Sequence, residues 1–387
     1  MYPTLSDLLK DLFGINIPLP IQTFGFFMAL AFLLGAWTLV LELKRKEKSG
    51  VLSPHNIKVI KGNPATLTEL LLNGVLGFVL GFKLIDIILN YQTFVNNPQH
   101  FILSGEGNFI GGLVFGGFLA YSKYRAKQKE KLKVPVEVEE TIYPHDLVGN
   151  IVFLAAIFGL IGAKIFHNLE NIEEFRYDPI SAMISFSGLT FYGGLICAAI
   201  AILIYARKNK IALFHLIDSA APGLILAYGI GRIGCQLAGD GDWGIVNTLA
   251  KPHWLGFLPD WMWAFNYPHN VIDEGIRIPD CFSKHCFMLD HPVFPTPFYE
   301  TISCILMFFI LWSMRKKFLT PGVLFSVYLI FNGVERFFIE RIRINPPYNI
   351  FGKGITQAEI ISFSLILTGI FGIIFLKYIR KTERKKS

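Results

Sequence analysis

At 387 residues, with 52% hydrophobic and only 17% charged, the chain departs from a soluble domain, in which about 25% charged is usual. Its 36 Phe and mean hydropathy of +0.47 leave too little polar surface to cover a water-facing core, which predicts an all-α polytopic membrane protein. The formal charge of +7 raises nucleic acid as a partner, but its distribution along the chain argues against that reading.

Apolar segments follow one another at 21–43, 68–91, 108–123, 148–168, 185–206, 212–238, 297–314, 319–340 and 357–379, predicting about nine transmembrane helices. The first is not a cleavable signal, because the basic cluster comes after it. That cluster, Lys44, Arg45, Lys46 and Lys48, predicts an N-terminus outside under the positive-inside rule. Alternation then puts the basic run from Lys123 to Lys133, Arg207–Lys210, Arg315–Lys317 and the basic C-terminal tail on the cytoplasmic side. The opposite loops agree. Residues 92–107 hold no Lys or Arg, and the long loop at 239–296 holds three basic residues against seven acidic ones. The last outer loop departs from this pattern with Arg341, Arg343 and Lys353, and an anionic ligand would give those charges a purpose.

Two stretches match at an offset of 81. Gly81-Phe82-Lys83 aligns with Gly162-Ala163-Lys164, and a Pro follows each Lys by 15 residues, at Pro98 and Pro179. Both then reach Gly-Gly-Leu, at Gly111–Leu113 and Gly193–Leu195. A duplicated helix pair fits, so residues 1–387 read as one integral-membrane domain. Within it, 68–147 is the extra pair with its basic cytoplasmic loop, and 239–296 is an extracytoplasmic loop.

Ionisable residues inside membrane segments are expensive and by default mark function. Here they fall at one depth, towards the outside. Arg232 lies near the end of the sixth segment, with Asp240 and Asp242 just beyond it. Glu300 opens the seventh segment, and Arg336 and Glu340 close the eighth with i, i+4 spacing that Arg343 continues. Arginine forks suit a phosphate headgroup, while carboxylates orient them or accept protons. The competing reading is an ion-pair network that only locks helices together. Gly229-x-Gly231-x-x-Gly234 spells a dinucleotide fingerprint, but it follows no strand and lies inside an apolar helix. Its glycines read as close helix contacts or as room for a lipid.

With these residues in view, a resemblance emerges. The stretch Gly231-Arg-Ile-Gly-Cys-Gln-Leu-Ala-Gly239-Asp-Gly-Asp-Trp-Gly244 resembles the signature of the prolipoprotein diacylglyceryl transferase family, Gly-Arg-x-Gly-Asn-Phe-x-Asn-Gly-Glu. Asp218 and Pro222 precede it, Pro295-Thr-Pro-Phe-Tyr-Glu300 is similar to the family's Pro-x-x-Leu-Tyr-Glu, and Arg336 to Arg343 is similar to its Arg-x-x-x-Glu-x-x-Arg block. Tyr2-Pro3 and the Gly354–Ser362 stretch fit its ends, and Ser185 to Leu195 fits its Gly-Gly-x-x-Phe-His-Gly-Gly-Leu. The departures are Tyr192 for the family His, Cys235 and Ala238 for two Asn, and Asp240 for the Glu. A phenol with an ordinary pKa near 10 is a poor base at neutral pH. Tyr192 also reads as a plain interfacial aromatic.

The resemblance implies a multi-pass protein of the bacterial inner membrane, with a seven-helix core and its active site towards the extracytoplasmic face. It implies transfer of the diacylglyceryl group of phosphatidylglycerol to the lipobox cysteine of preprolipoprotein signal peptides. Arg232 and Arg336 are expected on the phosphate, with Glu340 orienting Arg336 and with Asp240 or Glu300 as proton acceptor. Tyr192, Arg343, Gly193, Gly194 and Gly239 complete the expected catalytic and lipid-binding set. The expected partners are phosphatidylglycerol, the signal peptides and the membrane itself, without nucleic acid. No cofactor or metal is expected, since the lipid carries its own acyl chains and no His pair has zinc spacing on one helix. Cys281 and Cys286 read equally as a disulfide or as two incidental thiols, and Cys235 and Cys304 as packing residues. Trp254, Trp261 and Trp263 read as interface anchors. Two other readings stay open: a lipid or solute transporter, which the repeat suggests, and a homologue that binds phospholipid without turnover.

Overall fold

The structure, a computed structural model, describes all residues except 16, 97, 185–189, 319, 346–347, 351–352 and 387. Part of the expected Ser185–Leu195 motif therefore lies outside the described residues.

A short helix α1 (Leu5–Phe13) opens the chain, with Thr4 and Asp7 forming a reciprocal cap at its start. The long α2 (Thr23–Lys48) follows, then strand β1 (His55–Lys61). Next come α3 (Leu67–Leu89), the one-turn-and-a-half helices α4 (Tyr91–Asn96) and α5 (Pro98–Leu103), and α6 (Phe109–Glu130). Strand β2 (Val136–Ile142) leads into α7 (Val148–Glu170), the short α8 (Ile172–Tyr177) and α9 (Pro179–Ile184), and α10 (Phe191–Lys208). The remaining long helices are α11 (Leu213–Ala238), α12 (Thr296–Met314), α13 (Val323–Glu340) and α14 (Gln357–Lys386). Seven of the described helices are long and apolar enough to cross a membrane: α2, α3, α7, α10, α11, α12 and α14. α6 falls short because its second half turns basic from Lys123, and α13 because it carries Glu335, Arg336 and Glu340. Between α6 and α7, where a basic loop is expected, β2 pairs with β1 in an antiparallel ribbon, with Lys58 opposite Glu139 and Val59 opposite Val138.

The two glycine-rich hairpins share one plan. In each, a 23-residue helix is followed by two six-residue helices and a second long helix, with α3, α4 and α5 offset from α7, α8 and α9 by 81 residues. Each hairpin closes through glycines. A Cβ on Gly81 would lie 2.3 Å from the Gly111 carbonyl oxygen, and one on Gly162 would lie 2.5 Å from that of Gly193. Lys83, inside a span, donates to the carbonyls of Phe101, Ser104 and Glu106 at 2.7–2.8 Å, satisfying chain ends that hydrocarbon could not.

The core forms around α11, which α2 and α12 flank and α13 closes. Gly223 meets Gly35 and Thr38 of α2, Gly234 meets Phe24 and Phe27 of α2, and Gly229 meets Cys304 of α12. The glycines of the Gly229–Gly234 pattern therefore serve helix contact. At the Lys44 end, buried Glu42 pairs with Arg45 and, at 3.3 Å, with Arg315. Lys46 donates to the His215 carbonyl at 2.8 Å. Asp218 accepts from the Gly322 and Phe325 amides at 2.7 and 2.8 Å, capping α13 from a neighbouring helix.

At the other end, the 239–296 segment folds over the helix mouths around Trp243, Tyr267, Leu289 and Val293. Cys281 and Cys286 form a disulfide. Cys235 and Cys304 are buried, and Trp254 lies exposed on the loop.

Candidate active site

α11 delivers Arg232 on its last two turns, one turn past Tyr228, and ends where Gly239 takes a left-handed φ of +66° and returns its N–H to the Cys235 carbonyl. α12 delivers Glu300 one turn in from its start, fully buried. Arg232 Nε pairs with Glu300 Oε2, its Nη1 with Asp242, and its Nη2 donates to the Tyr228 hydroxyl at 3.2 Å. The Tyr228 hydroxyl in turn donates to Glu300 Oε2 at 2.6 Å, and the Arg232 guanidinium lies 5.0 Å from the centre of the Tyr228 ring. Arg343 completes the network, donating to Glu300 Oε1 at 3.2 Å and to Asp242 Oδ1. Two guanidinium groups and two carboxylates thus join α11, α12 and the segment after α13.

Arg343 does not continue the helical face of Arg336 and Glu340, as its spacing suggested. α13 ends at Glu340, and a turn throws the chain into an extended path that pairs Arg343 with Gly244. The Ile245 amide donates to the Ile342 carbonyl at 2.8 Å, while the Gly244 amide donates to the Phe294 carbonyl at 2.9 Å. A Cβ on Gly244 would lie 2.4 Å from the Ile342 oxygen, so only glycine permits this approach. Thr296 Oγ1 fixes Asp242 by donating to its carbonyl at 2.7 Å.

Arg336 and Glu340 form a separate pair at 3.0 Å, and the Asn345 amide donates to both Glu340 oxygens at 2.8 and 2.9 Å. Tyr192, at the start of α10, lies within the electrostatic field of Arg336, Glu340 and Arg343. Gly193 and Gly194 are buried in the contact of α10 with α7, the first against Phe166 and Gly162 and the second against Gly159. Gly239 packs against Asn270.

Asp240 sits just past α11. Burial pushes its carboxyl above the ordinary carboxylate range and the Asp242 charge adds to this, against a hydrogen bond from Cys235 that works the other way. Ligand atoms of Cys235, Asp240 and Asp242 come within 4.8 Å of one another, a set that could take a metal ion. Both Asp242 oxygens, however, are held by Arg232 and Arg343, and a cation would have to displace them.

The profile of the prolipoprotein diacylglyceryl transferase family matches residues 120–375, two thirds of the chain. The chain belongs to that family. Curated relatives called phosphatidylglycerol--prolipoprotein diacylglyceryl transferase include one from Staphylococcus haemolyticus, 30% identical over 236 residues that cover 60% of this chain and 75% of the relative. Another, from Clostridium novyi, is 30% identical over 230 residues, covering 59% of this chain and 79% of the relative. One from Leptospira interrogans is 26% identical over 317 residues, covering 70% and 89%. The family match begins inside α6 and so leaves α3 outside it.

Three site residues escaped the sequence reading as working members. Tyr228 was legible as the aromatic four residues before Arg232, one turn away on the same helix face. Asp242 was noticed beside Asp240 but given no role. Glu335 is an ionisable residue within an apolar helix, which the cost of intramembrane charge already marks.

Proposed function

We propose that the chain transfers the diacylglyceryl group of phosphatidylglycerol to the lipobox cysteine of preprolipoproteins, at the extracytoplasmic face of a bacterial inner membrane. The observation that carries this reading is the Arg232–Glu300–Arg343–Asp242 network, placed where the family's signature, Pro-rich and Arg-Glu-Arg motifs meet. The cysteine sulfur attacks the glyceryl carbon that bears the phosphodiester, the C–S bond forms, and the C–O bond breaks with its electron pair leaving on glycerol phosphate. The thiol proton passes to a carboxylate, Asp240 or Glu300. Arginine donors held in place before the reaction stabilise the leaving phosphate in a low-dielectric site.

Arg232 and Arg336 are assigned to the phosphate, with Arg343 beside them and Glu340 orienting Arg336. Asp242 has about a third of its side chain exposed, whereas Glu300 has none, so Asp242 is the partner an incoming phosphate displaces. Tyr192 stands where the family has His, beside the Arg336–Glu340 pair. Nine spans with the N-terminus outside suit both the basic clusters and the nine long helices among the described residues. The shared plan of α3–α6 and α7–α10 supports a duplicated pair within one domain.

The test is a reconstituted transfer assay with labelled phosphatidylglycerol and a lipobox peptide, run on wild type, Arg232→Ala and Tyr192→Phe. Transfer that vanishes in Arg232→Ala is expected, and the Tyr192→Phe rate reports what the phenol contributes. A folded wild type that never transfers label would overturn the enzyme in favour of a homologue that only binds the lipid.

A further inference from the structure

The site's arginines are already matched before any lipid arrives. Arg232 and Arg343 each hold Glu300 and Asp242, and Arg336 holds Glu340. Glu335 adds a further carboxyl. It is 93% buried on α13, and neither of its oxygens has a hydrogen-bond partner among the described residues, although the other carboxylates named here are all bonded. Burial without a partner is the costliest setting for a carboxylate, more so within a membrane helix.

The groups that face Glu335 come from every side. α12 contributes Glu300 and Cys304, α11 contributes Tyr228 and Arg232, its own helix contributes Arg336, and the following segment contributes Arg343. α14 also packs on α13, and its first-turn acid, Glu359, is held by Arg341 at 3.3 Å. After burial itself, Glu300 acts on it most strongly, and it carries the same sign. Three guanidinium groups therefore meet four carboxyls, Asp242, Glu300, Glu335 and Glu340, before the phosphodiester brings one more negative charge. At low dielectric that added charge is opposed unless a proton accompanies it.

We propose that Glu335 takes up a proton when an anionic phospholipid headgroup binds, so that lipid binding and proton uptake are coupled at this residue. This rests on the functional reading above and deepens it. Glu335 is a positioning residue: it touches no reacting atom and acts through Glu300, whose charge must stay on Arg232 and Arg343 while phosphate takes the place of Asp242. The proton on Glu335 lets Glu300 remain ionised with the phosphodiester nearby. By linkage, a ligand that raises proton occupancy binds more tightly as pH falls.

The test measures binding of dioctanoyl phosphatidylglycerol to the full chain in phosphatidylcholine nanodiscs, as a function of pH. In wild type the affinity should weaken by up to about tenfold per pH unit across the range in which Glu335 loses its proton. Within that range, and not below it, a pH indicator in weakly buffered solution should record uptake approaching one proton per lipid bound. Glu335→Gln, nearly isosteric, should bind as wild type does at low pH and lose both the slope and the uptake. Glu335→Asp should keep them. Wild-type affinity independent of pH overturns the inference, as does a slope that survives Glu335→Gln or disappears in Glu335→Asp. If Glu335→Gln does not fold, the wild-type proton count and the Glu335→Asp slope still decide. A folded wild type that binds phosphatidylglycerol no better than phosphatidylcholine defeats the functional reading itself, a result distinct from all of these.

Discussion

Replacing Glu300 with Gln tests whether the Arg232–Glu300–Arg343 network holds the helices as the structure draws it. Glu300 is fully buried and receives Arg232, Arg343 at 3.2 Å and the Tyr228 hydroxyl at 2.6 Å. Gln keeps one acceptor oxygen, but its amide turns a donor towards a guanidinium, so one arginine loses its partner and faces like polarity. Breaking a buried pair from one side costs about 3–5 kcal/mol, because the remaining charge stays in low dielectric. Tyr228→Phe removes the hydroxyl that donates to Glu300 and accepts from Arg232 but leaves every ion pair in place, so its cost should stay near that of one hydrogen bond to a charged group, about 1.5–3 kcal/mol. Arg341→Ala removes an exposed cation whose partner Glu359 still accepts from the Thr356 amide at 3.1 Å, and should cost no more than about 1 kcal/mol. Unfolding midpoints in nanodiscs should rank the three in that order. The Glu300→Gln, Tyr228→Phe double variant should lose less than the sum, since both act on one hydrogen-bonded unit. A Glu300→Gln protein as stable as Arg341→Ala would refute the network as a source of stability.

Gly244→Ala places a methyl 2.4 Å from the Ile342 oxygen and 2.9 Å from Phe294 Cβ, forcing apart the pairing that carries Arg343. A displacement near 1 Å at a reacting site costs about a hundredfold, so transfer should fall by that order while helix content by circular dichroism stays. Asp240 is raised by burial first and by Asp242 second. As the proton acceptor it works ionised, so transfer should climb as pH rises through its raised pKa, and Asp240→Asn should abolish that acid limb. For stability the sign is opposite: a raised carboxyl favours the folded state below the ordinary carboxylate range, and this contribution is lost as pH rises through the folded value. Asp240→Asn should therefore unfold at a higher midpoint than wild type above that value, read from melting against pH.

The long helices were legible because hydrocarbon demands continuous apolar stretches, and nothing in a loop imitates one of them. α13 shows the limit. Its helix was evident from the apolar run, yet Glu335, Arg336 and Glu340 keep it below the hydropathy of its neighbours, because its C-terminal end serves the candidate site. The paired ribbon of β1 and β2 left no legible mark, since its charged and apolar residues alternate over only seven positions and face no core. Arg232, Glu300 and Arg343 were found because charge in a span is conspicuous. How they pair was not, because it depends on a turn after Glu340 and on Gly244 accepting a close carbonyl, both set by contacts far apart in sequence.

The two ends of the helix bundle separate structural charge from working charge. At the Lys44 end, Glu42 sits between Arg45 and Arg315, Lys46 ends on a carbonyl, and Asp218 is consumed by the α13 amides. Every one of these charges has a partner and none points to a further ligand, as expected of a lock between helices. At the Asp240 end the carboxyls outnumber the arginines, Asp242 is partly open to solvent, and Glu335 has no hydrogen-bond partner among the described residues. A lock gains nothing from surplus buried acid, which only raises its cost. The transfer proposed above exchanges a carboxylate for a phosphate and passes a thiol proton to Asp240 or Glu300, and a surplus of carboxyls at this end serves that exchange where a lock would have no use for it.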